Sequence, residues 1–506
     1  MDDAWATFDP AATPVTGGER KADALEAPVE GVAGTVSLVP GAVAPVLAGE
    51  VVLESPGAGE RPTARSARIG SVRGALVQAG PLAVAGLVTN GANVVVTILL
   101  ARLLTTRGYG ALTQLNGLFL VVSMPGSAVI VAVVRRVTSW TASADTGPVQ
   151  RWGRRVHRRG AAVVGALAAA AVAAGPSLAR FLGQPHTIGL DAMVAAGAVW
   201  VLLCVDRGLL QANRRYRTLS ANLVVEGGLR AAGVLVLAGV GLGVAGAAVG
   251  VLGAELVTAV HARRVADRAW TLPVGAPPAP AGGGARQAGG HVGDGPTAPA
   301  GGQQSRRILL VDLVAALVAL ATVAWLQNVD VIVVGRDAPG VAGAYAAVSV
   351  ASKALVFGAI VLGGYLLPEA AIRWHRGGHA LRELGATLLF LAAPAALLLL
   401  LAVGDPQLLL RVVFSSRYLG AEAAFASLVL AMVCLSVTVV LTMYLLAVGR
   451  RRVAAFLVAG AGAATAAVAA AHGAPVATAR ADLLVQVVLA AVVLADFAVA
   501  HRRRVR

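Results

Sequence analysis

The chain has little charge, few aromatic residues and almost no lysine or cysteine. Charged residues make up 13% of its 506 residues and aromatic residues 4%, whereas hydrophobic residues make up 57%. A soluble domain of this length needs less apolar surface for its core, so the composition predicts a membrane protein. The two cysteines, Cys204 and Cys434, both fall in apolar stretches and predict neither a disulfide framework nor a metal site.

Several catalytic motifs are missing as well. Neither lysine, Lys21 or Lys353, is followed by serine or threonine, which excludes a nucleotide-binding P-loop. The chain contains no HExxH, CxxC or Asp-x-Asp motif. The gaps predicted to lie outside the cell are all shorter than about 20 residues, which leaves little room for the external domain of a membrane glycosyltransferase or polymerase. The sequence therefore predicts a protein that is not an enzyme, with no catalytic residue, cofactor or metal.

Long apolar stretches recur along the chain after a polar start. Each is about 20 residues or longer, enough to cross roughly 30 Å of hydrocarbon as a helix. The twelve stretches lie near residues 75–100, 112–134, 160–180, 189–209, 219–239, 243–262, 308–334, 343–371, 383–403, 421–448, 453–471 and 482–500. This pattern predicts an all-α, polytopic membrane protein with about 12 transmembrane helices.

Two segments rich in alanine, glycine and proline interrupt the pattern. Residues 1–72 predict a disordered cytoplasmic tail and residues 265–307 a disordered cytoplasmic linker, because neither has enough large apolar residues to form a core. The linker divides the helices into an N-terminal six-helix lobe, residues 73–264, and a C-terminal six-helix lobe, residues 308–500. Residues 501–506 are predicted to form a basic cytoplasmic tail.

Arginine is concentrated in every second gap between the apolar stretches. Seven such clusters contain 31 of the 42 basic residues, whereas the gaps between them contain seven. Short loops rich in arginine stay on the cytoplasmic side during insertion, so both termini are predicted to be cytoplasmic and the protein to lie in the inner (cytoplasmic) membrane. The net charge is +16, and the arginines that produce it lie in the gaps between apolar stretches. This position favours anionic membrane lipids as partners and not nucleic acid.

The two predicted lobes contain a repeated pattern. NVVVTILLARLLTTRGYGALTQ begins at Asn93 and NVDVIVVGRDAPGVAGAYAAVS at Asn328, and their tyrosines are Tyr109 and Tyr345. Six crossings separate the two copies, so both have the same orientation and the repeat is parallel, with its axis along the membrane normal. Transporters built on repeats of this kind bind substrate between the lobes.

Three stretches of the chain resemble a known family of transporters. They are GPLAVAGLVTNGANVVVTILLARLLTTRGYGALTQLNGLFLVVSMPGSAV, DRGLLQANRRYRTLSANLVVEGGLR and FSSRYLGAEAAFASLVLAMVCLSVTVVLTMYLLAVGR. Over roughly residues 75–455 the chain resembles bacterial polysaccharide-biosynthesis flippases of the Wzx type, within the multidrug/oligosaccharidyl-lipid/polysaccharide (MOP) exporter superfamily. The resemblance implies a MATE-like fold and movement of a polyprenyl-diphosphate-linked oligosaccharide across the membrane for cell-surface polysaccharide biosynthesis. The implied partners are the lipid-linked glycan and the glycosyltransferases or polymerase of the same pathway.

Charged and amide side chains within apolar stretches are candidates for function, because they are costly in a membrane. Candidates for the substrate pathway are Asn90, Asn93, Gln114, Asn116, Glu226, Arg230 and Lys353. Candidates for a coupling ion or an ion pair are Glu255, Asp312, Gln327 and Asp330. The spacing of Glu226 and Arg230 places both on one helical face, where they either pair with each other or contact substrate.

Two interpretations remain open for the other candidates. The amides either bind sugar hydroxyls or join helices by hydrogen bonds. Lys353 lies about ten residues into its stretch, which favours a position facing a cavity, since a snorkelling lysine lies near a segment end. Asp330 or Asp312 offers Lys353 a structural partner instead, and Asp330 is also a candidate ligand of a coupling cation.

Two other functions remain open because the core acids outnumber the core bases, whereas the lumens of Wzx-type flippases are often cationic. The first is a cation-coupled multidrug or metabolite antiporter of the related extrusion family. The second is a non-transporting membrane scaffold of a polysaccharide-assembly complex.

Cysteine labelling tests the predicted topology. Gly289 lies in the linker that the arginine pattern places in the cytoplasm. In intact cells, a membrane-impermeant thiol reagent should therefore fail to label the variant Gly289→Cys and should label it after the cells are broken. Rapid labelling in intact cells would reverse the predicted orientation.

Overall fold

The computed structural model describes residues 84–86, 88–89, 91–141, 147–271, 301–375 and 381–505, and this part of the chain is helical, without β-strands. Its helices are α1 (Val84–Leu103), α2 (Thr106–Ser123), α3 (Pro125–Thr141), α4 (Gly147–Phe181), α5 (Ile188–Ala212), α6 (Tyr216–Leu237), α7 (Gly243–Thr271), α8 (Gly301–Asp337), α9 (Ala342–His375), α10 (Leu381–Gly404), α11 (Pro406–Val413), α12 (Phe425–Ala447), α13 (Val453–Ala469) and α14 (Pro475–Val505). A π-helical turn, Ala238–Leu242, joins α6 to α7.

Ten stretches of helix in the described residues are long and apolar enough to cross a membrane. One of them, Tyr216–Arg268, contains the π-helical turn, where Gly241 and Gly243 have φ angles of 97° and 53° and the chain reverses, so it contributes both α6 and α7. Helix α13 is a shorter apolar helix. Counted in this way the described residues contain twelve apolar helices, and the predicted all-α polytopic fold is confirmed.

Several helices are longer than the apolar stretches that predicted them. Helix α4 begins at Gly147, well before residue 160. Helix α7 continues to Thr271 and α8 begins at Gly301, so both helices extend into the predicted linker, residues 265–307. Helix α14 extends to Val505, through most of the predicted basic tail. Hydropathy marks only the part of a helix that lies in hydrocarbon, and these helices continue into more polar surroundings. Residues 1–72 and the middle of the linker lie outside the described residues.

Each half of the chain is built around one central helix. Helix α5 packs against α2, α3, α4 and α7, and its side chains Trp200 and Leu203 are fully buried. In the second half, α12 packs against α9, α10 and α14, and Leu428 and Met432 are fully buried. The halves meet mainly where α2 contacts α8 and α9.

The repeated sequence pattern falls on equivalent helices of the two halves. Asn93 lies in α1 and Asn328 in α8. Tyr109 is the fourth residue of α2, and Tyr345 is the fourth residue of α9. All four side chains are buried. The pair α1–α2 therefore corresponds to the pair α8–α9, as expected for a parallel repeat.

The two halves are tied together closely at the ends of α1 and α2. A Cβ added at Gly110 on α2 would lie 2.7 Å from the backbone nitrogen of Gly343 on α9, so the backbones of α2 and α9 are almost in contact. Between α11 and α12, Arg417 and Tyr418 donate hydrogen bonds to the carbonyl oxygen of Ala101, at 2.9 and 2.6 Å. All of these residues lie near loops that the arginine pattern places on the outer side of the membrane.

A close contact between two glycines in the α6–α7 hairpin can be tested directly. A Cβ added at Gly250 would lie 2.5 Å from the carbonyl carbon of Gly233, whereas a Cβ at Gly253, one turn later, would meet no atom within 4 Å. Gly250→Ala should therefore destabilise the protein by about 1–3 kcal/mol, because overpacking pushes the helices apart.

Gly253→Ala on the same helix is the matched control. It should leave stability unchanged or raise it by up to ~1 kcal/mol, because alanine has the higher helix propensity. Thermal unfolding in detergent measures both variants. Equal unfolding temperatures for the two would contradict the glycine contact.

Candidate functional site

Four buried charged residues form a continuous network in the first half. Arg207 on α5 donates a hydrogen bond to Glu226 on α6 at 2.5 Å, and Arg230 donates to the other oxygen of the same carboxylate at 2.7 Å. Arg230 also forms a salt bridge with Glu255 on α7. Each of the four residues is at most 4% exposed. Two positive and two negative charges thus neutralise each other between three helices, as the low dielectric requires.

Of this network, the sequence predicts Glu226, Arg230 and Glu255 as candidates but not Arg207. Arg207 belongs to one of the arginine clusters that predict cytoplasmic gaps, together with Arg214, Arg215 and Arg217, but α5 continues to Ala212, so Arg207 lies within the helix. Asn222 on α6 accepts a hydrogen bond from its Nε at 2.9 Å. A signal was present in the sequence, since the letters GLL at 208–210 continue the apolar pattern beyond Arg207.

A small cavity with a mostly apolar surface lies beside Arg230. Its volume is about 70 Å³. The residues that line it are Asn93, Val96, Thr97, Leu100, Tyr109, Leu112, Thr113, Asn116, Met193, Arg230, Val234, Ala247, Val251 and Val350. Arg230 is the one charged residue in this lining, and Val350 of α9 brings the second half of the chain to the cavity. This volume holds a few water molecules at most.

The amides predicted to contact substrate divide into two groups. Asn93 and Asn116 line the cavity. Gln114 instead donates a hydrogen bond to the backbone carbonyl of Ile332 at 2.8 Å and so joins α2 to α8 across the halves. Asn90 lies outside the described residues. The structure thus supports a cavity position for two amides and a role in helix association for Gln114.

Lys353 forms an ion pair within the second half. Its Nζ lies 3.6 Å from Oδ1 of Asp330 and 3.3 Å from Oδ1 of Asn328. Ser349 donates a hydrogen bond to the other oxygen of Asp330 at 3.0 Å. Lys353 is 3% exposed and does not line the 70 Å³ cavity. In this conformation the lysine therefore has the structural partner that was the alternative to a cavity position.

Asp482 on α14 is a second carboxylate beside this pair and is not among the candidates that the sequence predicts. It is fully buried and close enough to Lys353 and Asp330 to interact with both electrostatically. Gln486 donates a hydrogen bond to it at 3.1 Å. The predicted apolar stretch began at residue 482, which placed this carboxylate at a membrane boundary. Because α14 begins at Pro475, Asp482 lies about two turns inside the helix.

On the faces of α8 and α14 that carry Asp330 and Asp482, several oxygen atoms are buried without a hydrogen-bond partner among the described residues. They belong to Gln327, Thr478, Asp482 and Gln486. Thr478, Asp482 and Gln486 are spaced four residues apart on one face of α14, and Gln327 shares a face of α8 with Asp330. We call Gln327, Asp330, Thr478, Asp482 and Gln486 the oxygen cluster. Buried oxygens that lack a donor are suited to a small cation or a proton.

The remaining coupling-ion candidates, Glu255 and Asp312, provide less support for a cation site in this conformation. One oxygen of Glu255 is occupied by Arg230. The side chain of Asp312 lies outside the described residues. Within the described part of the chain there is no group of three or more His, Cys, Asp or Glu residues that could hold a metal ion.

Removing Lys353 tests whether its ion pair holds the fold. Lys353→Met leaves the Asp330 carboxylate buried without its cation and should destabilise the protein by about 3–5 kcal/mol. The double variant Lys353→Met, Asp330→Asn removes both charges and should recover much of that loss. Thermal unfolding in detergent measures both proteins. A single variant as stable as the wild type would show that the pair has no structural role.

The fold resembles that of known transporters. An inward-facing multidrug resistance MATE family transporter of the MOP superfamily matches with a TM-score of 0.57 and 12% identity over 81% of this chain and 95% of that chain. A MATE in complex with MaL6 matches with a TM-score of 0.53 and 14% identity over 84% and 96%. A MOP superfamily transporter from Pyrococcus furiosus, described as having a binding pocket of reversed polarity, matches with a TM-score of 0.51 and 14% identity over 85% and 95%.

No family model matches the chain, and no curated protein matches it in sequence. At 12–14% identity the similarity to these solved structures establishes the MATE-like fold of a polytopic membrane protein.

Proposed function

We propose that this protein is a transporter that moves a polyprenyl-diphosphate-linked oligosaccharide across the cytoplasmic membrane for cell-surface polysaccharide biosynthesis. The observation that carries the proposal is the cavity of this MATE-like fold, whose lining has Arg230 as its one charged residue together with the amides Asn93 and Asn116. The resemblance of three sequence stretches to Wzx-type flippases supplies the substrate class. A guanidinium suits a diphosphate because its planar donors bind phosphate oxygens in bidentate fashion.

Arg230 keeps donor capacity for such a ligand. Its Nη2 bonds to Glu226 and Glu255, whereas its Nε is buried and has no hydrogen-bond partner among the described residues. An unmade hydrogen bond at a buried charged group is costly, and an anion in the cavity would supply the missing acceptor. The amides of Asn93 and Asn116 offer donors and acceptors to sugar hydroxyls on the same wall.

Transport requires the two halves to separate, because a cavity of about 70 Å³ has no room for an oligosaccharide. The contact that must open lies between α2 and α8, where a Cβ added at Gly117 would lie 3.0 Å from the Cβ of Asn328. Asn328 also contacts Lys353, so separation of the halves would uncover this lysine as well. In the open state Arg230 and Lys353 would face the diphosphate from opposite halves while the polyprenyl chain stays in the bilayer.

The oxygen cluster favours a second candidate, a cation-coupled antiporter of the multidrug-extrusion type. Asp330 and Asp482 share one cation, Lys353, and the neighbouring amide and hydroxyl oxygens are unused. A sodium ion or a proton bound there would balance the excess negative charge. Such a site would couple transport to an ion gradient whether the cargo is a drug or a lipid-linked oligosaccharide.

Transport by Arg230→Gln in proteoliposomes tests the flippase proposal. Loss of a charge-assisted hydrogen bond to the diphosphate should slow flipping of a polyprenyl-diphosphate-linked oligosaccharide about 10- to 100-fold per folded protein, since such bonds contribute about 1.5–3 kcal/mol. Arg207→Gln is the matched control, because it removes a charge from the same network at a residue that does not line the cavity. Equal transport by the two variants would remove Arg230 from the substrate pathway.

An imposed ion gradient separates the two candidates. Asp482→Asn should abolish the response of transport to a sodium or proton gradient, whereas Asp496→Asn, near the other end of α14 and paired with Arg450, should keep it. Gradient-driven export of a cationic drug without oligosaccharide flipping would favour the antiporter. A folded protein that moves neither cargo would favour the scaffold.

A further inference from the structure

Five arginines line one exposed face of α4. They are Arg151, Arg154, Arg155, Arg158 and Arg159. Their spacing of three and four residues places them on one side of the helix, and all five are exposed. None of them forms a salt bridge with an acidic residue in the part of the chain that the structure describes, in contrast to Arg263, which pairs with Asp206 and Asp267. We call these five residues the arginine stripe.

The opposite face of the same two turns is fixed against α5. A Cβ added at Gly153 would lie 3.6 Å from Leu209. His157 lies 3.2 Å from the buried carboxylate of Asp206, and Val156 packs on the apolar cluster around Leu209. The helix is therefore held with the arginine stripe pointing away from the protein.

The stripe lies at the level of the lipid headgroups. Arg159 and Phe181, the last residue of α4, are about 22 residues or 33 Å apart, close to the ~30 Å thickness of the hydrocarbon core. Between them Val163, Leu167 and Val172 are 53–59% exposed, as expected for side chains in contact with lipid. The rest of the stripe extends about 12 Å beyond Arg159, through the headgroup layer.

The face that carries the stripe continues into the hydrocarbon as a row of small side chains. Ala162, Ala166, Ala169 and Ala173 follow the arginines on the same side of α4, and all four are exposed. An acyl chain can lie along this face while its headgroup phosphate contacts the arginines. A protein segment that bound only the arginines would not cover the row of alanines, whereas a phospholipid would cover both.

We propose that the arginine stripe binds the headgroup of an anionic phospholipid whose acyl chains lie along α4. Guanidinium groups form bidentate hydrogen bonds with phosphate, and basic residues at the membrane surface attract anionic lipids. This site is separate from the cavity beside Arg230 and does not depend on the transported substrate.

The requirements of membrane insertion alone do not account for the stripe. Insertion requires basic residues on one side of the membrane and places no requirement on the helical face they occupy. Arg214 and Arg215 in the loop between α5 and α6, and Arg217 at the start of α6, meet that requirement without sharing one helical face. These three arginines are therefore the matched control: replacing them removes the same number of charges from residues that do not share one face of a helix.

A lipid-binding titration tests the proposal on the full-length protein in detergent. The triple variant R151Q/R154Q/R155Q retains Arg158 and Arg159 for membrane orientation, and R214Q/R215Q/R217Q removes the same charge elsewhere. Native mass spectrometry with phosphatidylglycerol should show about 100-fold weaker binding for the stripe variant and unchanged binding for the control. Equal losses in the two variants, or equally tight binding of phosphatidylcholine to the wild type, would overturn the proposal.

Two further arms of the experiment identify the occupant. Glycerol phosphate, which has the headgroup chemistry without acyl chains, should not displace the lipid at millimolar concentration. Displacement would show that the stripe binds soluble anions and would overturn the proposal.

The acidic N-terminal segment is the competing occupant of the arginine stripe, because residues 1–60 carry ten acidic and two basic residues. Lipid affinity should be the same after deletion of residues 2–60. Lipid binding that arises only after this deletion would assign the stripe to the acidic segment and overturn the proposal.

Discussion

A charge inside a membrane protein must be neutralised by a partner, and the interior of both halves is organised around this requirement. In the first half the network centred on Arg230 joins α5, α6 and α7 through two arginines and two glutamates. In the second half the pair Lys353–Asp330 joins α9 to α8. Each network holds helices that apolar packing alone would leave free to slide, because lipid chains are as apolar as the helices themselves.

The two networks differ in charge balance, and the difference bears on function. The network in the first half is neutral, and one of its cations lines the cavity, where an anionic group can complete its hydrogen bonds. The oxygen cluster in the second half places Asp330 and Asp482 against one lysine and has unused oxygens, which suits a cation. Helix α2 of the first half contacts α8, the helix that carries Asp330. Opening of this contact would change the surroundings of both sites together, which is what the proposed transport needs.

The sequence predicted more of the fold than of the site. Apolar length was sufficient for twelve helices and the repeat for two halves in parallel orientation, because both are properties of single helices and their order. The MATE-like arrangement was implied by the resemblance of three stretches to Wzx-type flippases. The residues missed within the sites, Arg207 and Asp482, share one cause. Each lies near the end of an apolar stretch, where hydropathy misplaces the helix boundary by one or two turns. A shift of that size decides whether a charge is assigned to water or to the protein interior.

The sequence by itself determined the features that depend on neighbouring residues: the crossings, the parallel repeat and the position of Glu226 and Arg230 on one face of a helix, one turn apart. Only the tertiary structure decided which distant groups complete each site. Gln114 joins α2 to α8 across the halves, where close backbone contacts such as that of Gly110 with Gly343 bring the two halves together. Such contacts involve residues more than 200 positions apart, and no local spacing encodes them.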